Sequence, residues 1–248
     1  MENVVIVTGG ARGIGAETCR LAAQRGYAVC VNYLRNASAA ENLVKEIQTL
    51  GVKAIAIAAD VAQEEDVVRM FEEVDRSLGL VTALVNNAGI VDRISRLDEM
   101  SADRLQRMFA TNITGSFLCA REAVKRMSTR HGGSGGSIVN VSSAVSRLGG
   151  GGIYIDYAAS KGAIDTMTLG LAREVADEGI RVNAVRPGLI YTEIHVSSGD
   201  PGRVDRLKDS IPMKRGGEAV EVARTILWLL SAEASYCTGT FLDVSGGR

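Results

Sequence analysis

The chain is poor in aromatic residues, at 4% of its composition, and has only three prolines in 248 residues. With 28 glycines beside them, this points to an aliphatic core with many tight turns. Cysteine is sparse too. Cys19, Cys30, Cys119 and Cys237 are scattered and form no Cys-x-x-Cys pair. They read as buried thiols in a reducing compartment, with no metal or redox role. Charge of one sign is also missing: the net is −1, with acids and bases interspersed. That excludes the basic patch which nucleic-acid or membrane-surface binding needs. No apolar run approaches the roughly 18 residues of a membrane span. Met1-Glu2-Asn3 runs straight into Val4-Val5-Ile6-Val7 without a basic leader, so no targeting segment is expected and the cytoplasm is the expected location.

What the chain does have is alternation. Val4 to Val7 reads as a strand, Thr8-Gly9-Gly10-Ala11-Arg12-Gly13-Ile14-Gly15 as a glycine-rich turn, and the stretch to Gln24 as a helix closed by Gly26. A second strand follows at Val29-Cys30-Val31. Strand, glycine turn, helix, strand is the opening of a dinucleotide-binding unit, with the pyrophosphate at the helix N-terminus. The spacing is Gly-x-x-x-Gly-x-Gly instead of the more familiar Gly-x-Gly-x-x-Gly. Past the second strand, Asn32-Tyr33-Leu34-Arg35 carries no acid for a ribose 2′-hydroxyl. Arg12 and Arg35 suit a 2′-phosphate, so NADP is expected over NAD. Further strands are expected at Lys53 to Ala59, ending in Asp60-Val61; at Ala83 to Val85, running into Asn86-Asn87-Ala88-Gly89; at Ser137 to Val141, ending at Ser142-Ser143; at Ile180 to Val185, before Arg186-Pro187-Gly188; and at Gly239 to Val244. Helices are expected at Ser38 to Leu50, Gln63 to Leu78, Ser101 to Met127, from the glycine loop 149–152 through Tyr157 to about Glu178, and at Glu218 to Leu230. Residues 189–216 read as a mobile lid or substrate loop. The whole, 1–248, is expected to be a single doubly wound (Rossmann) α/β domain, with about seven parallel strands and helices on both faces.

Chemistry is suggested by Tyr157-Ala158-Ala159-Ser160-Lys161. Residues four apart share a helix face, and a cation beside a phenol draws its pKa down. Such a pair could move a proton to or from an alcohol. Asn112 is a polar residue inside a helix, and Gly115 after it would permit a local distortion. His131 lies in a flexible glycine turn and is not expected to be catalytic.

Jointly, the glycine turn, Asp60-Val61, Asn86 to Gly89, Asn112, Ser143, Tyr157-x-x-x-Lys161 and Arg186-Pro187-Gly188 resemble the short-chain dehydrogenase/reductase family. The likeness spans essentially the whole chain. It is nearest to the bacterial 3-oxoacyl-carrier-protein reductase and glucose/ribitol dehydrogenase subgroup. The resemblance implies an NADP-dependent oxidoreductase that interconverts a small-molecule ketone and a secondary alcohol, assembled as a homotetramer. By the same resemblance Tyr157 is the general acid/base, Lys161 lowers its pKa, Ser143 holds the substrate oxygen, and Asn112 holds a water that resupplies the proton. Gly9, Arg12, Gly13, Ile14 and Gly15 would receive the pyrophosphate, with Asn32 and Arg35 at the adenosine ribose. Asp60 and Val61 would meet adenine. Asn87, Ala88 and Gly89 would line the adenosine side, and Pro187, Gly188, Ile190 and Thr192 the nicotinamide. Tyr157 and Lys161 would also touch the cofactor; no metal is implied. Ser142 competes with Ser143 for the substrate role. Tyr154 is no rival to Tyr157, because Ala158 stands where its lysine would be. The alternative reading is a non-catalytic NADP-binding regulatory or scaffold protein on the same fold.

Overall fold

Residues 3–248 are described by a computed structural model. The elements in chain order are β1 (Val4–Val7), α1 (Gly13–Gln24), β2 (Ala28–Tyr33), α2 (Ala37–Gln48), β3 (Ala54–Ala58), α3 (Glu64–Ser77) and β4 (Ala83–Asn86). Then come α4 (Ala102–Phe109), α5 (Gly115–Met127), β5 (Gly136–Val141), α6 (Val145–Leu148), α7 (Ile155–Glu174) and β6 (Ile180–Pro187). The chain finishes with β7 (Ile190–Tyr191), α8 (Ile194–Ser197), α9 (Arg203–Leu207), β8 (Gly217–Glu218), α10 (Ala219–Leu230) and β9 (Phe241–Val244).

Seven strands form one parallel sheet in the order β3-β2-β1-β4-β5-β6-β9, as the alternation of the sequence implies. β1 shows why both faces must be covered. All four of its residues are buried. Val4 and Ile6 join Met70 and Phe71 of α3, Cys119 of α5 and Ile164 of α7 on one face. Val5 and Val7 join Cys19 of α1, Ile47 of α2 and Ile226 of α10 on the other. Each large apolar side chain so buried contributes about 1.5–3 kcal/mol. The strand order reverses between β1 and β4, with Val7 paired to Val85. Ligand crevices of open α/β sheets lie at that reversal, beyond the carboxyl ends of the strands. The glycine turn after β1 and Asn87-Ala88-Gly89 after β4 therefore emerge side by side.

Three expectations are revised. The expected helix 101–127 runs through without a gap, but its α-helical pattern breaks locally: Ala110–Thr114 form a single π-helical turn between α4 and α5. Gly115 does not distort the helix, since its backbone is helical (φ −57°, ψ −41°). It is required for contact instead, because a β-carbon there would lie 2.7 Å from Val61 Cγ2 and 3.0 Å from the Val61 carbonyl oxygen. Residues 145–148, ahead of the glycine loop 149–152, form the short helix α6. The stretch 189–216 is not structureless either. It holds α8 and α9, and Leu189, Val204 and Ile211 make a small core of their own. Among the described residues no helix is long and apolar enough to cross a membrane.

Candidate active site

The glycine turn is held from both sides. Asn32 Oδ1 accepts from the Gly9 amide at 3.1 Å, and its Nδ2 donates to the carbonyls of Ile57 and Ala59 at 3.3 and 3.1 Å. This corrects the expectation for Asn32: buried and committed, it braces the turn from below and offers nothing to a ligand. Asn87 Nδ2 donates to Thr8 and Gly9 carbonyls at 2.8 and 3.0 Å, so it too braces the turn, and only its carbonyl oxygen stays open towards the adenosine side. Thr8 Oγ1 accepts the amides of Asn87 and Ala88, each at 3.0 Å. Gly15 must be glycine, because a β-carbon would meet the Gly9 carbonyl oxygen at 2.5 Å. Gly13, at φ +52°, lies against Thr192, whose Cγ2 would be 3.2 Å from an added β-carbon. The segment after β6 thus touches the turn after β1, which brings Ile190 and Thr192 to the same cradle.

α1 begins at Gly13 with no side-chain cap and no acid in its first turn. Its free N–H groups form a ready anion site. Arg12 and Arg35 are exposed, and neither has an acidic partner among the described residues. An uncapped helix end, a turn no side chain could fill and two unpaired guanidiniums fit a dinucleotide with an extra phosphate. Asp60 turns inward: its Oδ1 accepts from the Ala62 amide at 3.0 Å and its own amide donates to Asp66. Val61 is buried under Gly115. Pro187 is buried, and the Gly188 amide donates to the Val244 carbonyl at 3.0 Å, which fixes the end of β6.

At the ends of β5 and β6 the catalytic candidates converge. Asp165, one helical turn after Lys161, sorts the two serines. Ser142 donates to Asp165 Oδ1 at 2.6 Å, and Arg186 Nη2 reaches Asp165 Oδ2 at 2.9 Å. Ser143 makes no bond to Asp165, and it is the Ser143 hydroxyl that draws the Tyr157 phenol down. The Ser143 oxygen accepts from the Val145 amide at 3.2 Å, which leaves its proton to point towards Tyr157. Lys161 Nζ donates to the Val141 carbonyl at 2.7 Å and lies 5.6 Å from the Tyr157 ring centre. Burial pulls the Lys161 pKa down to about 8, against a small upward pull from Asp165. The expectation that Lys161 depresses Tyr157 is corrected. Burial pushes the Tyr157 phenol up to about 12, although part of the residue reaches solvent, and the opposing pull comes from Ser143.

Asn112 is fully buried in the π turn. Its Oδ1 accepts from the Ile90 amide at 2.8 Å, and its Nδ2 donates to the Ile90 carbonyl at 2.9 Å and to Ser160 at 3.1 Å. A β-carbon on Gly89 would be 3.4 Å from Asn112 Oδ1 and 3.6 Å from Lys161 Nζ, so both atoms border the same small space.

Three contributors escaped the sequence reading. Asp165 was signalled by its spacing of four from Lys161. Thr8 stands in the turn motif but has no role until β4 is placed beside it. Arg104 and Asp156 form a buried bidentate pair, at 2.7 and 3.3 Å, which pins the start of α7 to α4. No periodicity links those two residues. His131 is exposed in its turn, away from these groups. Among the described residues no cluster of three or more side chains could hold a metal ion.

A family model described as enoyl-(acyl carrier protein) reductase matches residues 9–248. The chain is 57% identical over 245 residues to the uncharacterised oxidoreductase YgfF of Escherichia coli K12, covering 99% of each. It is 37% identical to the 3-oxoacyl-[acyl-carrier-protein] reductase FabG of Staphylococcus epidermidis, over all of this chain and 99% of that one. Among solved structures, a short chain dehydrogenase from Burkholderia cenocepacia J2315 in complex with NADP superposes with a TM-score of 0.90 at 31% identity. That match covers 99% of this chain and 97% of the other.

Proposed function

Because the chain belongs to the short-chain dehydrogenase/reductase family, we propose that it is an NADP-dependent oxidoreductase interconverting a ketone and a secondary alcohol, with Tyr157 as general acid/base. The observation that carries this reading is the buried Lys161 ammonium over the Tyr157 ring, beside a Ser143 hydroxyl that draws the Tyr157 phenol down. The solved relative binds NADP, and the unpaired Arg12 and Arg35 suit the extra phosphate here.

The nicotinamide, when bound, supplies or accepts the hydride. Ser143 and Tyr157 hold the carbonyl oxygen between two hydroxyls, so orientation is set before the proton moves. A phenol held at about 12 keeps its proton at neutral pH. It therefore gives that proton to the alkoxide as it forms, the role reduction requires. Lys161, at about 8, is still charged at pH 7 and resupplies Tyr157. The space beside Gly89 is where a water would connect Lys161 to Asn112. Gly9 to Gly15 take the pyrophosphate, Val61 packs on adenine, and Pro187, Gly188, Ile190 and Thr192 take the nicotinamide side.

The reading extends to a homotetramer and to the cytoplasm. Phe117 on α5 and Leu169 on α7 are large apolar residues left exposed, as an interface would need. The four cysteines are free, three of them buried, which suits a reducing compartment. Tyr157→Phe is the test. Turnover of a ketone panel with NADPH is expected to fall by about 10²–10⁴, while NADPH still binds by fluorescence titration. Near wild-type turnover in that variant would remove Tyr157 from the mechanism.

A further inference from the structure

Tyr154 stands three residues before Tyr157 at the entry to α7. It is only 6% exposed, and its hydroxyl has no hydrogen-bond partner among the described residues. A buried hydroxyl in that state is costly to keep, so its position calls for a reason. The Arg203 guanidinium, from α9, lies over the Tyr154 ring at 5.0 Å. Arg203 is itself largely buried, and its carboxylate neighbour, Asp200, is 3.6 Å away. Asp200 is already engaged by Arg206, at 2.8 Å to Oδ1. One acid thus serves two guanidiniums.

The charge of Arg203 also reaches a further arginine. Arg248 is partly buried, and its guanidinium has no carboxylate partner among the described residues. Burial first, and then the charge of Arg203, pull its pKa down. Its main-chain oxygen accepts from Ser245 Oγ at 3.0 Å and from Arg147 Nη2 at 3.5 Å. Arg147 belongs to α6, whose first turn hangs on Ser143: Ser146 Oγ donates to the Ser143 carbonyl at 2.9 Å. Arg147 has its own acid, Asp243, at 3.1 Å. Contacts therefore run from Ser143 through α6 to Arg248, and Tyr154, under Arg203, stands three residues before Tyr157. The cofactor cradle lies elsewhere and has its own arginines, Arg12 and Arg35.

We infer that the substrate carries an anionic group, a carboxylate or a phosphate, held by Arg203 with the Tyr154 hydroxyl as a further donor. The inference rests on the reading of the site as a carbonyl reductase. A largely buried guanidinium that shares its acid with Arg206 and a buried donor without an acceptor are both resolved by one anion. A neutral substrate would leave them unresolved.

The test uses the full chain saturated with NADPH and matched pairs of ketones. Keto acids are compared with their methyl esters, and phosphorylated ketoses with the free sugars. The charged member is expected to have the higher kcat/KM, by about tenfold or more, and the two arms separate carboxylate from phosphate. Arg203→Gln should raise KM for the charged member and bring the charged-to-neutral ratio towards one. Tyr154→Phe should lower the same ratio while keeping or raising the thermal midpoint, since it removes only an unpartnered hydroxyl. Equal kinetics for both members of each pair would overturn the anion site and leave the reductase standing. If no ketone is turned over, the reductase reading fails. Calorimetric titration of malonate into the NADP+-saturated protein then decides the site by itself. Heat of binding that Arg203→Gln abolishes supports it; no binding, or binding unchanged in the variant, overturns it.

Discussion

At the scale of single residues, the site is governed by burial more than by pairing. Lys161 was expected to set the Tyr157 pKa, and each group is moved chiefly by loss of water. The two shifts run in opposite senses and can be separated by pH. Because Tyr157 stays protonated to about 12, the first alkaline loss in ketone reduction belongs to Lys161. The reduction rate is expected to be level through neutrality and to fall above about pH 8, as Lys161 can no longer return a proton. A profile flat to pH 10 would exclude it from the relay. The same shift acts on stability. Between about 8 and the ordinary lysine value of 10.5, the unfolded chain holds the Lys161 proton and the folded chain does not, so stability contributed by this group rises with pH there. That Tyr157 and Lys161 would lie together was legible in the sequence, because they share a helix face. Which of Ser142 and Ser143 faces them was not: Asp165 decides it, through a bond of 2.6 Å that no local pattern announces. Asn32 misled for a related reason, since its partners lie on β3, just past it and in the turn after β1.

At the scale of elements, the strands and most helices followed from apolar alternation and glycine stops. The break in the long helix did not. A π turn at Ala110–Thr114 is a response to packing: it buries Asn112 against Ile90 and Ser160, both distant in sequence. Gly115 sits at the end of that turn, where α5 presses on Val61. Gly115→Ala sets a helix-propensity gain of at most about 1 kcal/mol against an overpacking cost of about 1–3 kcal/mol. The clash includes main-chain atoms of Val61, which have little room to give. A net loss of stability is therefore expected on denaturant titration, together with weaker NADPH binding as Val61 is displaced. An equal or higher midpoint with unchanged affinity would show that α5 can shift freely. The segment 189–216 escaped for a different reason. Its helices are only four and five residues long, and α9 is anchored by Val204 packed with Leu189 and Ile211, which periodicity cannot detect over so short a span.

At the scale of the whole molecule, the topology was readable because parallel strands need crossovers and the crossovers are helices. The surface was less so. Exposed Phe117 and Leu169 stand on helices whose other faces are core. Light scattering is expected to give a mass about four times the 26.2 kDa of one chain. Phe117→Asp should lower it, and a wild-type monomer at micromolar concentration would sink the tetramer. The strand order also bears on how the chain is made. β1 leaves the ribosome first and lies inside the sheet. β2 and β3 add to one of its sides, then β4, β5, β6 and β9 add in turn to the other. Every new strand meets an open edge, and none must be forced between two already paired. The helix α1 is less fortunate, because its cover, α10, is synthesised some two hundred residues later. During translation the side of α1 that α10 later covers stays bare, an apolar surface open to a nascent-chain chaperone until the end of synthesis.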